Sequence, residues 1–118
     1  MTECIACYGN GFIRQPDGRT ITCQACLRRQ ELMEREEILR DARELICGDR
    51  AADYGNVKDN FRRIAAGWGE IFGHPVTMAQ VALCMDWVKT SRLITSPAHR
   101  DSWVDKAGYT ALGWECSK

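Results

Sequence analysis

No stretch of this chain is apolar for anything near the ~20 residues that a membrane-spanning helix needs, which excludes such a helix from the sequence. Neither sign of charge dominates. Sixteen Lys and Arg against sixteen Asp and Glu give a formal net charge of zero, which excludes a protein that holds nucleic acid by phosphate neutralisation alone. The opening residues, MTECIACYGN, contain neither a basic leader nor an apolar signal core, so the expected location is the cytoplasm. Histidine is scarce. His74 and His99 both fall in expected loops, and no Ser-His-Asp or Cys-His arrangement is visible. A chain of 118 residues, 45% apolar and 27% charged, is one domain or a small module attached to one domain.

Cysteine, by contrast, is abundant, with seven in the chain. Cys4, Cys7, Cys23 and Cys26 form two CxxC pairs, while Cys47, Cys84 and Cys116 stand alone and read as small core residues. An odd total without a secretory signal argues against a disulfide framework and for a metal in a reducing compartment. The pair spacing fits a structural Zn²⁺ held by four thiolates, with no open position for catalysis; a redox dithiol or chance clustering is the alternative. Between the pairs, Phe12-Ile13-Arg14 and Arg19-Thr20-Ile21-Thr22 have strand character, and Pro16-Asp17-Gly18 signals a turn. Knuckle, hairpin, knuckle over residues 1–26 is the layout of a zinc ribbon. Arg14, Arg19, Arg28 and Arg29 would offset the negative charge of the thiolates. With Tyr8 and Phe12 they form a set that could touch nucleic acid.

Residues 27–47 read as a long charged helix, with i,i+4 pairs Glu31–Arg35 and Glu36–Arg40 in the favoured order. Residues 48–118 read as a helical domain entered through a polar linker, DRAADYG. Val57, Phe61, Ile64, Trp68 and Ile71 recur at a clean helical period. Met78–Ile94 carries apolar side chains on two sides, which predicts a central helix packed by neighbours on both. Thr77 with Gln80, and Ser102 with Asp105, are capping-box signals. The last helix has Trp103, Ala107, Ala111 and Trp114 on one face and Asp101, Asp105, Tyr109 and Leu112 on the other. Gly67, Gly69, Gly108 and Gly113 predict close approach of other helices. The fold class is therefore mainly α: a zinc-ribbon-like module, a charged helix, then a three-helix bundle with that helix as a possible fourth member.

Arg92 falls beside Val81 and Val88 on the helical wheel, with Lys89 at the border of the same face. The short connection Thr95–Arg100 makes its helix antiparallel to the next, which carries Asp101 and Asp105 one turn apart. Two readings of these four residues stay open. One is a structural ion-pair cluster; the other is a pocket in which Lys89 and Arg92 take a phosphate and Tyr54 or Tyr109 lies against a base or sugar.

Several elements of residues 49–116 resemble a family of small helical domains of unknown function found in tailed bacteriophages. These are Asp53-Tyr54-Gly55, Asn60-Phe61, Arg63-Ile64-Ala65, Trp68, Lys89, Arg92 and Asp101-Ser102-Trp103-Val104-Asp105-Lys106-Ala107-Gly108-Tyr109. The location would then be the host cytoplasm. Cys4, Cys7, Gly9 and Gly11 resemble the CxxCxGxG knuckle of chaperone zinc domains. More distantly, the helical part is similar to the MazG-type nucleoside triphosphate pyrophosphatases, which hold Mg²⁺ on carboxylates of two helices. That superfamily pairs ExxE with ExxD. Here the last helix offers DxxxD and the one before it only Asp86, so the similarity implies nucleotide binding, with Mg²⁺ as a possible cofactor, more than hydrolysis. The alternative function is a non-catalytic phage accessory module that engages a host protein or nucleic acid through the zinc ribbon and helices. Four tryptophans exceed the needs of a three-helix core of this length, which predicts a homo-dimer or higher oligomer.

Overall fold

The computed structural model describes residues 4–48 and 56–118. Two short strands are followed by four helices: β1 (Phe12–Arg14), β2 (Thr20–Thr22), α1 (Gln24–Cys47), α2 (Val57–Phe72), α3 (Met78–Thr95) and α4 (Arg100–Cys116). The chain divides into two compact units, residues 1–37 and 38–118, and the division falls within α1. Tyr54, and the DYG element with it, lies outside the described residues. No helix among the described residues is long and apolar enough to cross a membrane.

In the first unit, β1 and β2 pair antiparallel with Ile13 opposite Ile21. The turn between them has Gly18 at φ 87°, a left-handed conformation in which a side chain would be strained. Asp17 accepts hydrogen bonds from the backbone and guanidinium of Arg19 at 3.0 and 2.7 Å, closing the turn. The Arg19 contact holds the Asp17 carboxyl below the usual carboxylate range. The knuckle, hairpin, knuckle order is as the sequence predicts.

The second unit is built on the α3–α4 hairpin, with α2 and the end of α1 packed on it. Asn56 caps α2 by accepting from the amides of Lys58 and Asp59, and Gly73 ends it in the left-handed conformation. Thr77 and Gln80 form the predicted capping box at the start of α3. Phe61, Ala65, Val81, Ala82 and Cys116 are buried together, with Val57, Ile64, Trp68, Met85, Tyr109 and Leu112 packed against them. The α1 end joins through the buried Ala42 and an Arg100–Asp41 ion pair at 2.6 Å, which holds the Asp41 carboxyl below its usual range. Only the end of the charged helix, from Ile38 onward, belongs to this unit.

Several expectations are corrected by this packing. Of the three lone cysteines expected in the core, Cys116 is buried but Cys47 and Cys84 are exposed. Only one face of α3 is covered, the side of Val81, Ala82 and Leu93; Leu83, Trp87 and Ile94 are exposed. On α4 the packed side carries Ser102, Val104, Gly108 and Cys116, while Trp103 and Trp114 face outward. Ser102 does not cap α4. His99 is the cap residue, and the buried Ser102 hydroxyl sits 2.7 Å from its Nδ1. The glycines explain the choice of face on α4. A Cβ at Gly108 would lie 3.3 Å from Ile46 Cγ2, and one at Gly113 would lie 3.2 Å from Ala82 Cβ. Helices approach closely where side chains are small, and that requirement outweighs the bulk of the tryptophans. Gly67 and Gly69 behave differently: Gly67 faces open space, and Gly69 faces the His74 carbonyl of the turn that follows α2.

Candidate functional site

The β1–β2 hairpin lies between the two CxxC pairs, whose four sulfurs converge. Gly9 and Gly11, at φ 84° and 79°, turn the chain out of the first CxxC, and Tyr8 adopts φ 52° in the same bend. The amide of Gly11 donates to Cys7 Sγ at 3.2 Å, and the amide of Cys23 donates to the Gly11 carbonyl at 2.9 Å, so the second knuckle is tied to the first. Cys4, Cys7 and Cys23 are buried, and Cys26 is partly so.

The four sulfurs lie within 4.8 Å of one another, with Cys4–Cys23 at 3.9 Å and Cys7–Cys26 at 3.3 Å. A tetrahedron with metal–sulfur bonds of ~2.3 Å has sulfur–sulfur edges of about 3.8 Å, so the set fits a metal such as zinc. Its protonation is uneven. Burial raises the Cys7 thiol, but contacts with Cys26 and the Gly11 amide outweigh it and bring the thiol down to about 6. The Cys7 amide lowers Cys4, whereas Cys7 first, then Cys4 and burial, push Cys26 up to about 12. Four sulfurs packed this closely cannot all ionise together without a compensating positive charge. Among the described residues, this is where three or more metal-ligating side chains converge.

In the helical unit, two lysine–aspartate pairs brace α3 against α4 in reciprocal directions. Lys89 of α3 meets Asp105 of α4 at 2.9 Å, and Lys106 of α4 meets Asp86 of α3 at 2.9 Å. Lys106 also donates to Thr90 Oγ1 at 2.5 Å, and Thr90 donates onward to the Asp86 carbonyl. Asp86 and Thr90 are four residues apart, the spacing that lets one ammonium reach both. Sequence reasoning placed Lys89 and Asp105 together but missed Lys106; only the antiparallel register of α3 and α4 brings it opposite Asp86.

A cavity of about 290 Å³ opens beside the first pair, lined by Leu45, Ile46, Val57, Phe61, Tyr109 and Leu112 with Asn60, Gly108 and Asp105. Tyr109 stacks on Phe61 with centroids 6.4 Å apart. Burial holds the Tyr109 phenol above the usual tyrosine range; the Asp105 carboxylate pushes the same way and Lys89 opposes it. The phenol is thus a neutral hydrogen-bond donor at neutral pH. Of the residues singled out from the sequence, Lys89, Asp105 and Tyr109 meet here. Arg92 and Asp101 are exposed and do not line the cavity.

The chain is thus a small helical domain that follows, in sequence, a four-cysteine module able to hold a metal. Residues 37–117 match the family described as a domain of unknown function, DUF6378, and the chain belongs to that family. It is 42% identical over 76 residues to the Gene 55 protein of Mycobacterium phage L5, covering 64% of this chain and 49% of that protein. It is 36% identical over 74 residues to the Gene 55 protein of Mycobacterium phage D29, covering 63% of this chain and 49% of that protein. The chain therefore spans about half the length of these relatives. No solved structure matches it.

Proposed function

We propose that this is a zinc-stabilised phage-type protein whose helical unit binds a nucleotide-like ligand in the cleft beside Asp105 and Tyr109. The observation that carries the reading is the composition of that cleft. Its walls are apolar and partly aromatic, and the polar residues among them are few: Asn60, Asp105 and Tyr109. A flat apolar body with hydrogen-bonding edges, which is what a nucleobase offers, suits such a lining. A volume of about 290 Å³ admits a base and part of a sugar, leaving phosphates toward solvent. Lys89, paired with Asp105 at 2.9 Å, would be the cation to meet them. Mg²⁺ would have to displace Lys89 from Asp105, so the reading is binding rather than metal-dependent hydrolysis. The MazG-type similarity supports the ligand class and nothing more.

Thermal melting with nucleosides and nucleotides, with and without Mg²⁺, tests the reading. A ligand at 100 times its Kd should stabilise by ~2.7 kcal/mol and raise the Tm. Asn60→Ala and Tyr109→Phe should each reduce the shift without unfolding the protein, while Arg92→Ala, outside the cleft, should leave it intact. If no nucleoside or nucleotide moves the Tm at millimolar concentration, the reading is wrong.

A second reading, an accessory module that engages nucleic acid or a host protein, is favoured by one feature of the first unit. Ile5, Tyr8, Phe12 and Ile21 are exposed around the cysteines, with Arg14 and Arg28 also exposed. Stacking side chains among arginines suit single-stranded nucleic acid. Salt-sensitive binding of an oligonucleotide, lost on Tyr8→Ala, would support it.

A further inference from the structure

The outward edges of α3 and α4 repeat a pattern that helices use for one another. On α3, Leu83, Trp87, Thr90 and Ile94 follow at steps of four, three and four residues; on α4, Trp103, Ala107, Thr110 and Trp114 do the same. That spacing is the seam of a helix bundle, in which each position fills a gap between four residues of a facing helix. Among the described residues, the large members of both rows are exposed, while Thr90 is tied to Lys106 of α4. Leu83 is 64% exposed, Trp87 66%, Ile94 73%, Trp103 44% and Trp114 67%. Leu83 and Trp114 line one shallow groove between α3 and α4, which places the two edges side by side.

We infer that this face pairs with the same face of a second copy of the chain, so that α3, α4 and their counterparts form a four-helix interface. Area is the first argument. A tryptophan side chain carries ~150–250 Å², so the exposed fractions of these five residues leave about 450–700 Å² of apolar surface. That lies at the upper end of the patch a typical monomer shows and approaches the ~800 Å² per partner of a standard interface.

Charge is the second argument. None of the eight seam positions is ionisable; Asp86, which lines the groove, is paired with Lys106 at 2.9 Å, and the Lys118 ammonium lies over the Trp114 ring at 4.3 Å. A face with a single lysine at one end has little to hold a nucleic acid or a strongly charged partner, and little to repel its own copy. Geometry is the third argument. Two antiparallel helices with matching seams satisfy a two-fold axis, because a surface that meets its own copy needs the same repeat on both sides. This inference does not rest on the nucleotide reading, whose cleft lies on other residues.

Light scattering on the metal-loaded full chain tests it. The wild type at ~50 µM should give twice the chain mass of 13.4 kDa. Trp87→Glu and Leu83→Glu should each give the single-chain mass, with unchanged helical signal and metal content. Ile71→Glu, at an exposed apolar residue of α2 outside the seam, should remain dimeric. A wild type at 13.4 kDa would overturn the inference, as would a dimer that survives both seam substitutions or is lost equally with Ile71→Glu. A monomer whose Trp87 is protected by the chain's own cysteine module would count with the first of these.

Discussion

The two units of this chain close their interiors by different means. Around the first, Cys4, Cys7 and Cys23 are the buried residues, with Ile13 and Cys26 packed on them, while Ile5, Tyr8, Phe12 and Ile21 face solvent. In the second, Phe61, Ala65, Val81 and Ala82 are buried at the meeting of three helices, ringed by eight more apolar side chains. A unit of the first kind has too little apolar surface to repay the entropy of ordering its backbone. Its order must come from a few strong bonds that form together. The second unit gains from many weak contacts, each removable at a graded cost.

The largest expected effect follows directly. If zinc holds the first unit, it contributes on the order of 10 kcal/mol of apparent folding free energy to that unit, because the unfolded chain offers no preformed site. Metal analysis of the purified protein should find one equivalent, and chelation or Cys4→Ser should abolish it. Circular dichroism should then show the helical signal of α2, α3 and α4 retained. Loss of most helix instead would mean that the two units fold as one.

The second effect belongs to the other side of the contrast. Phe61 is buried and stacked on Tyr109, so Phe61→Ala should cost ~3–5 kcal/mol in denaturant unfolding of the helical unit. Metal content should stay at one equivalent. A large drop in metal on Phe61→Ala would show that the cysteine site depends on helical packing, and would break the comparison from the opposite end.

The same contrast explains what the sequence made legible. Ligation and capping are local, so the four cysteines, the hairpin between them and the Thr77–Gln80 box can each be read within a few residues. Helix existence in residues 57–116 is equally local, being set by apolar period and by breakers such as Gly73 and Pro97. Which face of a helix is buried is not local. On α4 the mass of Trp103 and Trp114 points one way, while Gly108 and Gly113 set the packed side because Ile46 and Ala82 come that close. The site shows the same division. The Lys89–Asp105 pair follows from a short connection and an antiparallel register, but the cavity beside it needs Leu45 and Ile46, which come from a helix far back in the sequence. Arg92 reads as inward on an ideal wheel that assumes both faces of α3 are covered. With one face open, the arginine has solvent to reach and no reason to enter the core.

The smallest effect is also the finest test of where the packed seam runs. Gly67 and Gly113 both sit inside helices, and replacing a helical glycine by alanine ordinarily stabilises by about 1 kcal/mol, through lower chain entropy in the unfolded state. At Gly67 a Cβ would meet nothing within 4 Å, so Gly67→Ala should show that gain. At Gly113 the new methyl would lie 3.2 Å from the Cβ of Ala82, itself fully buried on α3. Neither atom can swing aside, since each is fixed by its own backbone, so the helices must part by a few tenths of an ångström. Overpacking of this kind costs ~1–3 kcal/mol, against which the same ~1 kcal/mol of propensity works, leaving a net loss of up to about 2 kcal/mol. Opposite signs for Gly67→Ala and Gly113→Ala in urea unfolding would place the α3–α4 contact at Ala82 and Gly113. Equal stabilisation by both would mean that the tryptophan side of α4, not the glycine side, faces α3.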